Sequence, residues 1–447
     1  MIQLSGYVLF AVLTAFIACP SISRAQVKFD PQTYQALAGA DSSVTIAPGT
    51  KITLQNWTRY KQFLPIGLQA FYSGKYHWHI GGEPEYTITV APTMHLPLPK
   101  KVIEDTEKNS GQVSLDKLPG EQTGYFLKNY VAGLAFPHPE EPNIGVKIML
   151  TTWLSYTPFL LDYVTSTLAI DSYNNVTPGI GTYTQWRFSH VSDPGYPISV
   201  PYGDGGYLFA ARSDSLAPEQ IKYTVYLNTQ PYDPMKAQEA YVYLPSLRRS
   251  LRLSTAARCS PFAGTDWVQD DDDEGFFFQM GKFTARLLGY KKVLLHYFPD
   301  RQAYIPYSKA FVTNGASPLP LWVRDGFGSW QLRTVYILDV TPLADPHYCY
   351  RHKVAYIDAD TFYRTFEEMY DNVENLWKVN IMHDTAEIIG GQKTWVMSVD
   401  PETVFDMQNN HCTASFPAEV GIDASARPDA QRWESSASPG ALSQIMK

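Results

Sequence analysis

Cysteine is scarce in this chain: four residues in 447, at positions 19, 259, 349 and 412. If the first belongs to a cleaved leader, three remain and can close at most one intramolecular pair, which excludes a disulfide-dense scaffold. Charge is also thin. Asp, Glu, Lys and Arg together make up 18% of the residues, with 44 acidic against 36 basic and a formal net charge of −8. Phosphate binding needs a basic face, so nucleic acid is not expected as a partner. The familiar signatures of catalysis are missing as well. There is no Gly-x-Ser-x-Gly elbow, no Ser-x-x-Lys with its supporting motifs and no glycine-rich phosphate loop. Gly179-Ile180-Gly181 precedes a predicted strand where a dinucleotide loop would follow one, and the adjacent Glu367 and Glu368 would face apart on a strand, which does not suit a glycosidase pair. Beyond the first residues no apolar run is long enough to cross a bilayer, so membrane contact is expected to be peripheral.

The opening residues, MIQLSGYVLFAVLTAFIACPSISRAQ, read as a secretory signal peptide spanning 1–25. An apolar run from Tyr7 to Ala18 is followed by the small-x-small pattern Ser23-Arg24-Ala25, and cleavage there leaves Gln26 first. A second cut, just before Cys19, would allow lipidation; Phe16 and Pro20 are poor neighbours for it. Export makes a disulfide permissible. We expect Cys349 with Cys412, both flanking the last predicted sheet segment; the alternative is three buried, reduced thiols.

What the chain has in abundance is aromatic residues, 14% of the total, with 30 Tyr against 29 Gly. Such a composition favours strands and ordered loops over helical bundles. Residues 26–165 read as a helix- and loop-rich region that packs on the sheet. Trp57, Tyr60, Lys61 and Leu64 follow helical spacing up to Pro65, residues 99–110 carry Pro at the start and Gly111 past the end, and residues 147–156 form a further helix stopped by Pro158. From Ser166 to Phe416 the period becomes two. Tyr183, Gln185 and Arg187 alternate with Thr184, Trp186 and Phe188, and the stretch EAYVYLPSLRRSLRL from Glu239 reads as a two-faced hairpin. Strands recur at 293–298, 330–340, 353–358, 362–370, 375–379 and 394–399, which predicts an antiparallel meander. Residues 417–447, rich in Ala, Ser, Pro and Asp, are expected to be disordered.

Four features are candidates for function, each with a plainer reading beside it. Trp186, Phe188, Tyr223, Tyr241, Tyr243, Phe276 and Phe278 could line an apolar site or simply pack a core. Arg248, Arg249 and Arg252 could hold an anionic headgroup through their guanidinium forks, or pair across strands with Asp and Glu. The acidic run 270–274 could bind a cation, but its spacing does not fit an EF-hand loop and a solvated loop is the favoured reading. His77 with His79, and His347, Cys349 and His352, could each begin a metal site but lack a recognisable further ligand. No cofactor or metal is expected.

The segments NWTRYKQFLPIGLQAFYSG, NYVAGLAFPHPEEPNIGVKI, YLPSLRRSLRL, GTDWVQDDDDEGFFF and KVAYIDADTFYRTFEEMYDNVENLWK resemble the domain-of-unknown-function family 1329, bacterial envelope proteins related to the outer-membrane lipoprotein-sorting fold. The resemblance spreads over most of the chain and carries no catalytic motif. It implies a mainly β (α+β) architecture, a large curved antiparallel sheet or half-barrel wrapped around helices and loops. It also implies a place in the periplasm or on the periplasmic face of the outer membrane, and a resistance-nodulation-division-type exporter and an outer-membrane protein as partners. The expected function is that of a carrier or chaperone for a lipid or other hydrophobic molecule, not an enzyme. The alternative is an interaction scaffold with a filled core, and, less favoured, a hydrolase whose groups converge from distant positions.

Overall fold

The computed structural model describes residues 26–37, 45–77, 87–254, 259–261, 264–268, 271, 279–306, 328–343, 345, 348–397 and 401–446. β-branched and aromatic residues at every second position drive its main feature, a seventeen-stranded sheet. In chain order the strands are β1 (Lys51–Ile52), β2 (Ile88–Ala91), β3 (Ser114–Lys117), β4 (Tyr125–Lys128), β5 (Leu160–Ile170), β6 (Val176–Arg187) and β7 (Tyr207–Ala217). They continue as β8 (Val225–Pro231), β9 (Glu239–Leu244), β10 (Arg249–Arg252), β11 (Phe283–Phe298), β12 (Ser329–Pro342), β13 (His352–Asp358) and β14 (Arg364–Tyr370). The last are β15 (Leu376–Met382), β16 (Asp384–Ile389), β17 (Gln392–Val396), β18 (Glu402–Asp406) and β19 (His411–Ile422). β3 and β4 stand apart as a hairpin of their own.

The continuous run is β11–β12–β13–β14–β15–β18–β19–β5–β6–β7–β8–β9–β10, antiparallel at every step. The fold is therefore mainly β, an open antiparallel sheet with few helices, as the sequence predicts. The arginine-bearing hairpin β9–β10 lies at one end of this run. At the other end the sheet curls: β15 continues through His383 into β16, whose Asp384 and Thr385 lie parallel beside Tyr297 and Phe298 of β11. Two hairpin tips share one device. Asp171 Oδ1 accepts the amides of Tyr173 and Asn175, and Asp371 Oδ1 those of Val373 and Asn375, with Asn174 and Glu374 at φ 63° and 67°.

Because strand side chains alternate, the two faces of the sheet bury different partners. On the first face Val335, Tyr356, Phe366, Val379 and Phe405 surround Leu68 and Phe71 of α3 (Ile66–Tyr72), which follows α1 (Pro31–Gln35) and α2 (Trp57–Tyr60). Each such fully buried side chain contributes about 2 kcal/mol. α3 sits so close that a Cβ on Gly67 would fall 2.9 Å from both methyls of Val379. The sheet also caps it. Glu368 Oε1 accepts the Gly67 amide at 2.7 Å and the Tyr356 hydroxyl at 3.1 Å, while Oε2 accepts from Tyr34 at 2.7 Å. On the second face Leu338, Ile357 and Met369 pack with α5 (Ile144–Trp153), alongside Leu98 and Val102 at the start of α4 (Lys100–Asn109).

Three expectations are corrected. The acidic run is not simply a solvated loop: Asp271 is fully buried, with Lys353 Nζ at 3.1 Å, Lys378 Nζ at 3.9 Å and the Tyr350 hydroxyl at 2.5 Å. Two lysines and a phenol replace the hydration that a carboxylate loses on burial. The strands begin before 166: the meander already starts at Leu160, and β1 and β2, from the region read as helix and loop, join the sheet on which α3 packs. The segment beyond 417 is ordered. β19 runs on to Ile422, Arg427 then pairs with Asp162 at 2.7 Å, and the Trp186 indole donates to the Ala430 carbonyl at 2.8 Å. Few large apolar residues are needed there, since small residues such as Ala426, Ala430 and Ala437 fit against the large ones the sheet provides.

Candidate functional site

The second face is not filled everywhere. Over β5, β6 and β7 it leaves a cavity of about 470 Å³, within the range usual for small-molecule sites. Strand register explains the space. Tyr163 of β5, Tyr183 of β6, Ser213 of β7 and Tyr226 of β8 are successive cross-strand neighbours and form one row on this face. The next row down holds Thr165, Gly181 and Ser215, and beyond it lie Ser415, Thr167 and Gly179. Large rings therefore stand beside small and absent side chains, and the step between them is the hollow. The rings of Tyr163 and Tyr183 stack with centroids 4.9 Å apart. A Cβ built on Gly179 would meet nothing closer than 3.6 Å, so this glycine is kept neither by backbone conformation nor by a close approach.

A strap from another part of the chain roofs the hollow with Gly264, Thr265, Asp266 and Trp267. It is fastened to β19 and β15. The Asp266 amide donates to Thr413 Oγ1 at 2.9 Å, that hydroxyl donates back to Asp266 Oδ2 at 2.6 Å, and Lys378 Nζ donates to the Asp266 carbonyl at 2.5 Å. Val268, buried in the second-face core, and Asp271 hold its far side. On the near side Cys259 is disulfide-bonded to Cys349 with Cα atoms 5.3 Å apart. The walls next to the strap are acidic. Asp266, Glu402 and Asp171 line the cavity, together with His411, whose Nδ1 lies 3.8 Å from Asp266 Oδ1, while Asp214, opposite Thr182, directs its carboxylate to the Trp186 face and Arg212. Burial raises the carboxyls of Asp266 and Asp214 above their ordinary value, in Asp214 against the pull of the adjacent Arg212.

The residues singled out from sequence fall elsewhere. Trp186, Phe188 and Tyr243 are buried on the first face under the C-terminal segment, where Phe188 and Tyr202 close around Trp433. Tyr223 sits in a turn at φ 64° and is exposed, and the Tyr241 hydroxyl donates to Glu239. Phe276 and Phe278 lie outside the described residues. The arginines do not reach the cavity either. Arg252 pairs with Glu239 across the hairpin at 3.3 Å, the cross-strand alternative, while Arg248 and Arg249 are exposed at its turn. The expected Cys349–Cys412 bond is replaced by Cys259–Cys349, and Cys412 is a buried thiol. The reason is topological: Cys349 belongs to the second-face core and Cys412 to the first, with the sheet between them. His77 meets Asn174 and His352 meets Asp339, and no metal-binding group occurs among the described residues; His79 and His347 lie outside them.

Tyr163, Tyr226 and Trp267 line the hollow and were not singled out from sequence, and on β6 it is Tyr183, on the face opposite Trp186, that lines it. The available signal was smallness: Thr165, Thr167 and Ala169 opposite Gly181, Gly179 and Thr177, a face too light to fill itself.

Among solved structures, the chain is similar to a DUF1329 family protein from Desulfovibrio piger ATCC 29098, at 16% identity over 68% of this chain and 100% of that one, TM-score 0.47. It is also similar to a putative outer membrane lipoprotein-sorting protein domain from Vibrio parahaemolyticus, at 14% identity over 67% and 98%, TM-score 0.45. A LolA superfamily protein from Nitrosomonas europaea matches at 10% identity over 62% and 91%, TM-score 0.35. No curated protein matches the chain. Residues 51–442 match the family described as "Protein of unknown function (DUF1329)", and the chain belongs to that family.

Proposed function

We propose that the protein is a carrier that shelters a small hydrophobic or amphipathic molecule in the cavity between β5–β8 and the Trp267 strap. The observation that carries this reading is a hollow of about 470 Å³ walled by the Tyr163, Tyr183 and Tyr226 row. Every methylene of a guest taken out of water there contributes about 0.8 kcal/mol, so a ten-carbon chain offsets roughly 8 kcal/mol of other costs. The Cys259–Cys349 bond supports an oxidising compartment, consistent with the periplasm. A handover partner at the envelope, an exporter or an outer-membrane protein, belongs to the same reading.

The alternatives fit less well. A scaffold with a filled core describes the surroundings of α3 but not the hollow. A hydrolase would need a serine activated by a base, yet Ser415 Oγ shares its hydrogen bond with Thr165 Oγ1 at 2.7 Å. The direct test is mass spectrometry of solvent extracts from purified protein, beside binding of an apolar fluorophore to the native state. Gly179→Leu places a side chain in the hollow without backbone strain and should abolish both signals while the protein stays folded. Absence of any co-purifying molecule together with absence of fluorophore binding to the wild type would overturn the reading.

A further inference from the structure

We infer that the guest's polar end is cationic, an amine or quaternary ammonium on an apolar body. This rests on the carrier reading above and names the class of molecule that the same cavity takes. Three carboxylates, Asp171, Asp266 and Glu402, line it, and its lining among the described residues contains no lysine or arginine. Two basic groups next to lining residues are engaged outside the hollow. Arg212 holds Asp214 at 3.0 Å, and Lys378 is directed to the Asp266 backbone carbonyl and to Asp271. A phosphate or carboxylate guest would bring its charge against these walls with no guanidinium or ammonium to receive it, and at low dielectric an uncompensated charge is costly.

Position sharpens the point. Glu402 lies directly across from Ser415, which lies across from Thr167, so this carboxylate stands at the β18–β19 side of the hollow. The aromatic row begins on β5 and runs to β8. A cation between the two meets carboxylates on one flank and the negative faces of tyrosine rings on the other, the combination by which quaternary ammonium groups are recognised. The exposed Arg248 and Arg249 at the β9–β10 turn do not alter this balance, because they lie outside the cavity lining.

The test uses three probes of equal chain length at low ionic strength: dodecyltrimethylammonium, dodecanol and dodecanoate, titrated calorimetrically into delipidated protein. The expected order is tightest for the ammonium, then the alcohol, then the carboxylate, with the two ends separated by about tenfold or more in Kd. Added salt should narrow the gap. Glu402→Gln, and separately Asp266→Asn, should weaken the ammonium at least severalfold and leave dodecanol unchanged, with circular dichroism confirming the fold. Dodecanoate binding as tightly as the ammonium, or variants that bind the ammonium as tightly as the wild type does, would overturn the inference while the carrier reading stands. Failure of all three probes to bind would overturn both.

Discussion

Tyr183 and Trp186 lie three residues apart on β6 and face opposite ways: Tyr183 stacks on Tyr163 in the cavity wall, while Trp186 donates its indole proton to the Ala430 carbonyl under the C-terminal segment. One strand thus separates a binding surface from a packing surface, and the two can be perturbed independently.

Tyr183→Ala should weaken guest binding by about tenfold or more, since it removes half of the stacked pair, and should lower the melting temperature only modestly. Trp186→Ala should do the reverse, costing about 3–5 kcal/mol of stability and leaving affinity near its starting value. Calorimetric titration beside thermal unfolding of both variants checks the contrast; equal effects on affinity would contradict the assignment of faces.

Burial raises the Glu368 carboxyl to about 7, against the downward pull of its hydrogen bonds from Tyr34, Gly67, Tyr356 and Tyr370. A folded-state value above the unfolded 4.5 means that the native protein holds this proton more tightly. Its contribution is therefore fully present below about pH 4.5 and is lost as pH rises through about 7, by about 3 kcal/mol at most. Glu387 and Asp193, also raised to about 7, slope the same way. Glu368→Gln should flatten, without abolishing, the fall in urea-unfolding free energy between pH 5 and 7.

The Cys259–Cys349 bond spans a sequence separation of 90 residues and tethers the strap over the cavity. Loop-closure entropy gives it about 4–5 kcal/mol, so Cys349→Ser should lower the denaturation midpoint and loosen guest binding. Thiol counting on denatured, unreduced protein from Gln26 onward should find one free thiol, assigned to Cys412 by peptide mapping. Two different residues carrying label would contradict the pairing.

Deleting residues 423–447 uncovers Trp186 and Phe188 and leaves Asp162 without Arg427. The truncated protein should bind more of an apolar fluorophore than the full chain and unfold at a lower temperature. Asp162→Asn with Arg427→Gln, which breaks the pair without uncovering the rings, should lower stability and leave fluorophore binding near that of the full chain. An unchanged midpoint on truncation would mean that the segment is not part of the packed core.

Some elements were readable because their signal is local. α4 has Pro before it and Gly after it, the β9–β10 hairpin turns at Pro245 and Ser246, and the Asp371 turn uses side-chain chemistry visible in five residues. α3 was not readable for the opposite reason. IGLQAFY is too short for an amphipathic pattern and is buried nearly all round, so its period vanishes, and its cap is Glu368, far away in sequence. Asp271 was misjudged likewise, because Lys353 and Lys378, which receive it, are not its neighbours in the chain.

The order of amino acids by itself determined a mainly antiparallel sheet, the places where most strands turn, and a chain without a recognisable catalytic motif, because backbone propensity and side-chain alternation act over a few residues. Only tertiary structure decided which face of β5–β7 stays open, which cysteine Cys349 meets, and that small residues of the C-terminal segment cover Trp186. A strand pattern offers two faces of equal standing, and which of them is buried depends on segments that arrive from hundreds of residues away.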